Sequence, residues 1–229
     1  MTTPQPIIDI RSRPAWLHDF YGATPHSPGW ETARWLNRRV GALDDRHFER
    51  AYTLEGYLAE IRAAGITAAT VIGRDTPGVA TSNEAIVSLV QGRSELIGIG
   101  SVDVLKHDAA GVVAEVERVQ ALGLAGLNVE PGFGAVPLAF DAPALWPAYE
   151  TAQRLKLPVF LMSGPTTPDT AFNDPAAIGR VARRFPDLPL IVSHGAWPRV
   201  AEVVGVAFRY ANVYLAPRSE EHTSELQSH

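Results

Sequence analysis

The sequence predicts an incomplete α/β barrel of the TIM type, (β/α)8, with about seven of its strands present. Short apolar runs alternate along the chain with amphipathic segments, the pattern of βαβ units and a parallel sheet. No Gly-x-Gly-x-x-Gly motif follows the first strand, so a barrel fits these alternations better than a doubly wound dinucleotide-binding sheet. The 229 residues are 46% hydrophobic and 20% charged, enough apolar material for one large core.

Ile7 to Arg11 is the first strand, an apolar run that ends in charge. In a strand, positions i and i+2 share a side, so Arg11 and Arg13 are expected to project together from its C-terminal end. Ser12 to Thr53 is a long aromatic-rich connection, either functional or carrying small elements of its own. Trp16, Trp30 and Trp35 in it either cover the barrel mouth or pin the loop down. Leu54 to Ala64 is a helix with Leu54, Leu58 and Ile61 on one face, ended by Gly65. Thr67 to Gly73 is the second strand, closed by the turn-forming Arg74-Asp75-Thr76-Pro77-Gly78. Ser82 caps a helix over 83–90. Leu96 to Val102 is the third strand, and Ala109 to Leu122 a helix stopped by Gly123. Ala125 to Glu130 is the fourth strand, leading into Pro131-Gly132-Phe133-Gly134.

Ala144 to Leu155 is the next helix, and Val159 to Ser163 the fifth strand, with Pro158 at its tolerated start. Asp174 to Phe185 is helical, with Pro175 in its first turn. Leu190 to Ser193 is the sixth strand, Trp197 to Ala207 a helix and Val213 to Ala216 the seventh strand.

Composition narrows the function classes. A net charge of -5 argues against nucleic acid as a partner, and the absence of cysteine removes disulfides and thiolate metal sites. Met1 to Pro6 has no basic or apolar leader character, and no run approaches membrane-spanning length, so a cytoplasmic protein without a membrane partner is expected. Assembly into a homo-oligomer stays open.

Residues 218–229 change character abruptly. The string from Arg218 to His229 is polar, lacks apolar periodicity, and resembles an in-frame translation of a common sequencing adapter. The expectation is therefore a barrel domain over 1–217 followed by a non-native tail over 218–229, with His222 and His229 carrying no functional weight. A barrel that stops at its seventh strand leaves two open sheet edges and is expected to be poorly soluble.

Catalytic groups of such barrels stand at the C-terminal ends of the strands. Those ends carry Arg11 and Arg13, Arg74 with Asp75, Asp103, Asn128 with Glu130, Met162 with Ser163, and His194. His194 suits proton transfer near neutrality. Glu130 either orients His194 and activates water, or serves an ion pair in its Gly-rich loop. Arg11, Arg13 and Arg74 offer guanidinium forks to a carboxylate, or pair structurally with Asp9, Asp75 or Asp103. Ser163 can hydrogen-bond substrate but lacks the Gly-x-Ser-x-Gly setting of a nucleophile. His18, His26, His47 and His107 fall in loops or near helix starts, where solvated histidines are common.

Three stretches resemble the amidohydrolase superfamily, in the branch with aminocarboxymuconate-semialdehyde-decarboxylase-like enzymes and lactone hydrolases. They are Ile8-Asp9-Ile10-Arg11-Ser12-Arg13, Pro147-Ala148-Tyr149-Glu150 to Leu157-Pro158-Val159-Phe160, and Phe185-Pro186-Asp187 to Ser193-His194-Gly195. The resemblance implies a divalent metal such as zinc, held by His-x-His after strand one, His after strands five and six, and Asp after strand eight. Here Arg11 and Arg13 fall on the first pair and Met162 on the third position. Only His194 matches, and the strand-eight Asp lies past the apparent end. Arginine is a donor only and cannot ligate a metal. A site without metal or other cofactor is therefore expected, zinc being conceivable only through His194 and residues missing from the chain. The resemblance and these residues together imply a hydrolase of a small carboxylated lactone, ester or amide. A decarboxylase of a small unsaturated acid and a catalytically silent anion-binding barrel are the alternatives.

Overall fold

The computed structural model describes residues 5–12, 14, 30–39, 44–77 and 79–216. Arg13, Trp16, His18, His26 and the tail over 218–229 lie outside the described residues, as do the side chains of His47 and Phe48.

The chain begins with β1 (Ile8–Ser12), followed by α1 (Trp30–Arg39), α2 (Arg46–Arg50) and α3 (Leu54–Ala63). Next come β2 (Ala68–Ile72), the short strands β3 (Arg74–Thr76) and β4 (Val79–Thr81), α4 (Asn83–Val90) and β5 (Leu96–Ser101). The order continues with α5 (Ala109–Ala121), β6 (Leu127–Val129), α6 (Trp146–Leu155) and β7 (Val159–Met162). It closes with α7 (Pro175–Arg184), β8 (Leu190–Ser193), α8 (Val200–Arg209) and β9 (Val213–Ala216).

Seven parallel strands form one sheet in the order β1-β2-β5-β6-β7-β8-β9, and β3 pairs antiparallel with β4 in a small hairpin. This is the predicted TIM-type barrel, incomplete in that no strand among the described residues joins β1 to β9. The sheet curls far enough for Arg11 on β1 to touch Met162 on β7 and Ser193 on β8.

Side chains alternate between two apolar layers. Ala69, Val71, Leu127, Val129, Val159, Leu161, Leu190 and Val192 face the helices and share one cluster with Ile86, Val116 and Ile178. Ile72, Ile99 and Phe160 form a second cluster inside the barrel, with Ile97 and Ile191 against it. Gly98 and Gly100 let the helix layer come close to β5. A Cβ at Gly100 would stand 2.7 Å from Val119, and one at Gly98 would stand 2.7 Å from Leu124.

The long connection after β1 carries the small elements α1 and α2, one of its two expected forms. Two local differences from the predicted elements have physical causes. Arg74 to Thr76, expected as part of a turn, instead pair as β3 with β4, and Thr76 Oγ1 donates to the Val79 carbonyl at 2.8 Å. Finally, α8 starts at Val200 rather than Trp197, because His194, Gly195 and Ala196 have φ of 57°, 55° and 54°. Left-handed residues cannot enter a right-handed helix directly.

Candidate active site

The C-terminal ends of the strands carry the predicted site residues Arg11, Arg74, Glu130, Ser163 and His194. A bulge in β1 sets the first of them. Asp9 pairs with Ala69 and Ser12 with Val71, so Ile10 and Arg11 together stand opposite Thr70. The extra residue turns Arg11 into the barrel and Ser12 toward the helices, where its hydroxyl meets the Tyr57 hydroxyl. The bulged backbone is satisfied by side chains. Asp9 Oδ1 accepts from the Arg11 amide at 3.0 Å, and the Thr70 hydroxyl donates to the Ile10 carbonyl. Arg11 is 4% exposed; its Nη1 donates to Ser193 Oγ at 3.2 Å and its Nη2 to Met162 Sδ at 3.0 Å.

Arg74 and Glu130 form a buried ion pair. Arg74 Nε lies 2.9 Å and 3.0 Å from the two Glu130 oxygens, and Nη2 makes a further bond to Oε2. The Arg74 guanidinium also stacks over Phe133 at 5.6 Å. Asn128 Nδ2 donates to Glu130 Oε1 at 2.7 Å and to the Gly73 carbonyl at 3.1 Å. Burial works to raise the Glu130 carboxyl. The charge and hydrogen bonds of Arg74, the charge of Arg11 and the Asn128 amide outweigh it and hold that carboxyl below the ordinary range.

Glu130 thus stands in an ion pair, with its oxygens turned to Arg74 and Asn128. Asp75, one of the expected partners of Arg74, instead binds Lys106 and accepts from the Asp103 amide at 3.2 Å. Glu130 meets Arg74 because Arg74 follows the end of β2 and Glu130 the end of β6, and β5 alone separates those two strands.

His194 is buried at the end of β8 and opens a left-handed turn of three residues. Such a conformation costs about 1–2 kcal/mol for each residue with a Cβ, so His194 and Ala196 are strained there. Ser163, predicted as a substrate contact, is fully buried beneath this turn. Its hydroxyl donates to the Ser193 carbonyl and accepts from the Ala196 amide at 3.1 Å.

Sequence reasoning missed two residues at this point. Asn173 is buried, and its amide spans two loops, donating to the Gly164 carbonyl at 2.9 Å and the Trp197 carbonyl at 2.8 Å. Its Oδ1 accepts from Thr167 Oγ1 at 3.0 Å. Gly164, at φ of 142°, lies against the imidazole, where a Cβ would come within 2.9 Å of His194 Cγ. Asn173-Asp174-Pro175 reads locally as the lead-in to a capped helix, and nothing nearby signals a contact with Trp197.

Arg11, Arg74 and Glu130 therefore stand near one another, Arg11 against Met162 and Ser193, and His194 is the residue that follows Ser193 at the end of β8. Among the described residues, no group of three or more His, Cys, Asp or Glu side chains is placed to hold a metal ion. Among those residues too, no helix is long and apolar enough to cross a membrane.

A family model described as amidohydrolase matches residues 10–227. The chain is similar to the crystal structure of an uncharacterized TIM-barrel protein from Bordetella bronchiseptica, with a TM-score of 0.84 and 28% identity over 98% of this chain and 81% of that one. A probable 2-pyrone-4,6-dicarboxylic acid hydrolase from Acinetobacter baumannii, crystallised with citric acid bound, is similar at a TM-score of 0.47 and 14% identity over 68% of this chain and 56% of that one. No curated protein matches the chain.

Proposed function

The chain belongs to the amidohydrolase family, and from that premise we propose that it hydrolyses a small carboxylated lactone, ester or amide without a divalent metal ion. The observation that carries this reading is the placement of Arg11. Its guanidinium is buried where β1, β7 and β8 end, and it keeps its charge at any accessible pH. A divalent ion finds a poor donor set at these strand ends. Arg11 adds a fixed positive charge, the Met162 thioether is a soft ligand already turned to Arg11, and a catalytic zinc needs three protein ligands.

Arg11, with Arg13 following it, binds the substrate carboxylate through paired N–H donors or polarises the scissile carbonyl. The His194 imidazole takes a proton from the attacking water as the water oxygen bonds to the carbonyl carbon. It returns that proton to the leaving oxygen or nitrogen as the acyl bond breaks. Glu130, held as an anion, is too weak a base to activate water and instead holds Arg74 at the mouth. Asn128 Oδ1 is buried without a hydrogen-bond donor among the described residues and offers the substrate an acceptor beside Glu130.

Turnover of a panel of carboxylated lactones and esters, with and without chelator, tests the proposal. Activity is expected to survive chelation, and His194→Ala to lower kcat by about 10²–10⁴-fold. Arg11→Lys is expected to raise KM by about tenfold or more, since a point charge replaces a fork. Stoichiometric zinc in active protein overturns the metal-free reading, and release of carbon dioxide instead of a ring-opened acid makes the protein a decarboxylase.

A further inference from the structure

We propose that Ser163, Gly164 and Asn173 form a bracket that fixes the orientation of the His194 imidazole, making them positioning residues for the reaction. This rests on His194 as the proton-transfer group. The left-handed turn over His194, Gly195 and Ala196 is strained and needs outside support. Two buried side chains supply that support from the segment after β7. Ser163 bonds to the residue before the turn through the Ser193 carbonyl, and to its last residue through the Ala196 amide. Asn173 holds the residue just beyond the turn through the Trp197 carbonyl.

The second amide hydrogen of Asn173 goes to the Gly164 carbonyl, and Gly164 is the surface on which the imidazole rests. One amide therefore sets the distance between the imidazole's backing and the backbone that carries it. With both donors and the oxygen in use, Asn173 has no freedom to shift without moving one of three segments. Holding a general base within about 0.5 Å and 10–20° of its productive geometry matters for rate. A purely structural asparagine would be needed for the fold alone, without effect on the state of the imidazole.

The experiment is ¹⁵N spectroscopy of the full chain with labelled histidines, His194 being assigned by its loss in His194→Gln. In Ser163→Ala and Asn173→Ala the His194 ring nitrogens are expected to move, and its titration midpoint to shift by about half a pH unit or more. Ser163→Thr, which keeps the hydroxyl, is expected to restore the wild-type spectrum. The same alanine variants are expected to lose about 10- to 100-fold in kcat, with KM within about twofold. Folded variants whose His194 resonances and titration match wild type overturn the bracket. Loss of cooperative melting in both alanine variants assigns the residues to the fold and overturns it as well. A displaced imidazole with turnover unchanged keeps the bracket and removes His194 from catalysis, so the two ideas fail separately.

Discussion

Arg74 and Glu130 show how a charged pair settles a residue's role. Each is less than a tenth exposed, at 4% and 3% of the side chain, so removing one partner strands the other charge in the interior. Glu130→Gln is expected to cost about 3–5 kcal/mol in chemical denaturation at neutral pH. The pH dependence follows from the direction of the shift. A carboxyl held low in the folded state contributes stability above the unfolded value of about 4.3, and that contribution is lost as pH falls through the depressed folded value. Wild type should show this acid-side loss in a series of melts, and Glu130→Gln should lack it. From sequence alone Glu130 and Arg74 were each legible as strand-end groups but not as partners. They stand 56 positions apart, and their meeting depends on which strands neighbour each other. Ser163 was legible as a polar strand-end residue, whereas its use inside the His194 turn depends on a backbone conformation that no residue pattern announced.

Elements were easier to read where a local cap or period sets them. Ser82 accepts from the Ala85 amide at 3.2 Å and starts α4 at the predicted residue; Asp174 does the same for α7, with Pro175 in the first turn. Ser82→Ala is expected to lower stability by about 1 kcal/mol, measured by thermal or urea unfolding. The β5 glycines test packing rather than capping. A methyl group at Gly100 meets both Val119 γ-methyls under 3 Å, so Gly100→Ala is expected to cost about 1–3 kcal/mol despite its better backbone entropy. The β3–β4 hairpin was not legible, because Arg74-Asp75-Thr76-Pro77-Gly78 reads as a turn and strands of three residues are too short to show alternation. The late start of α8 traces to the left-handed residues before it, which no residue pattern announces.

At the scale of the molecule, alternating apolar and amphipathic segments sufficed to give the barrel class, since strand order follows chain order apart from the inserted hairpin. The seam is where the molecule differs from a closed barrel. Ile7, Ile8 and Ile10 are exposed beside β1, and at the other end Phe208 on α8 is 94% exposed, with Val204 and Tyr214 also open. Apolar side chains beside two strand edges invite association. Sedimentation is expected to show concentration-dependent self-association that Phe208→Glu combined with Ile8→Lys reduces toward monomer; unchanged association would place the contact elsewhere. The bulge lies on that same edge strand. Flattened by one residue, β1 would swing its guanidinium outward against Tyr57 and present the Ser12 hydroxyl at the mouth instead. One inserted residue thus determines whether β1 offers a cation or a hydroxyl at that position.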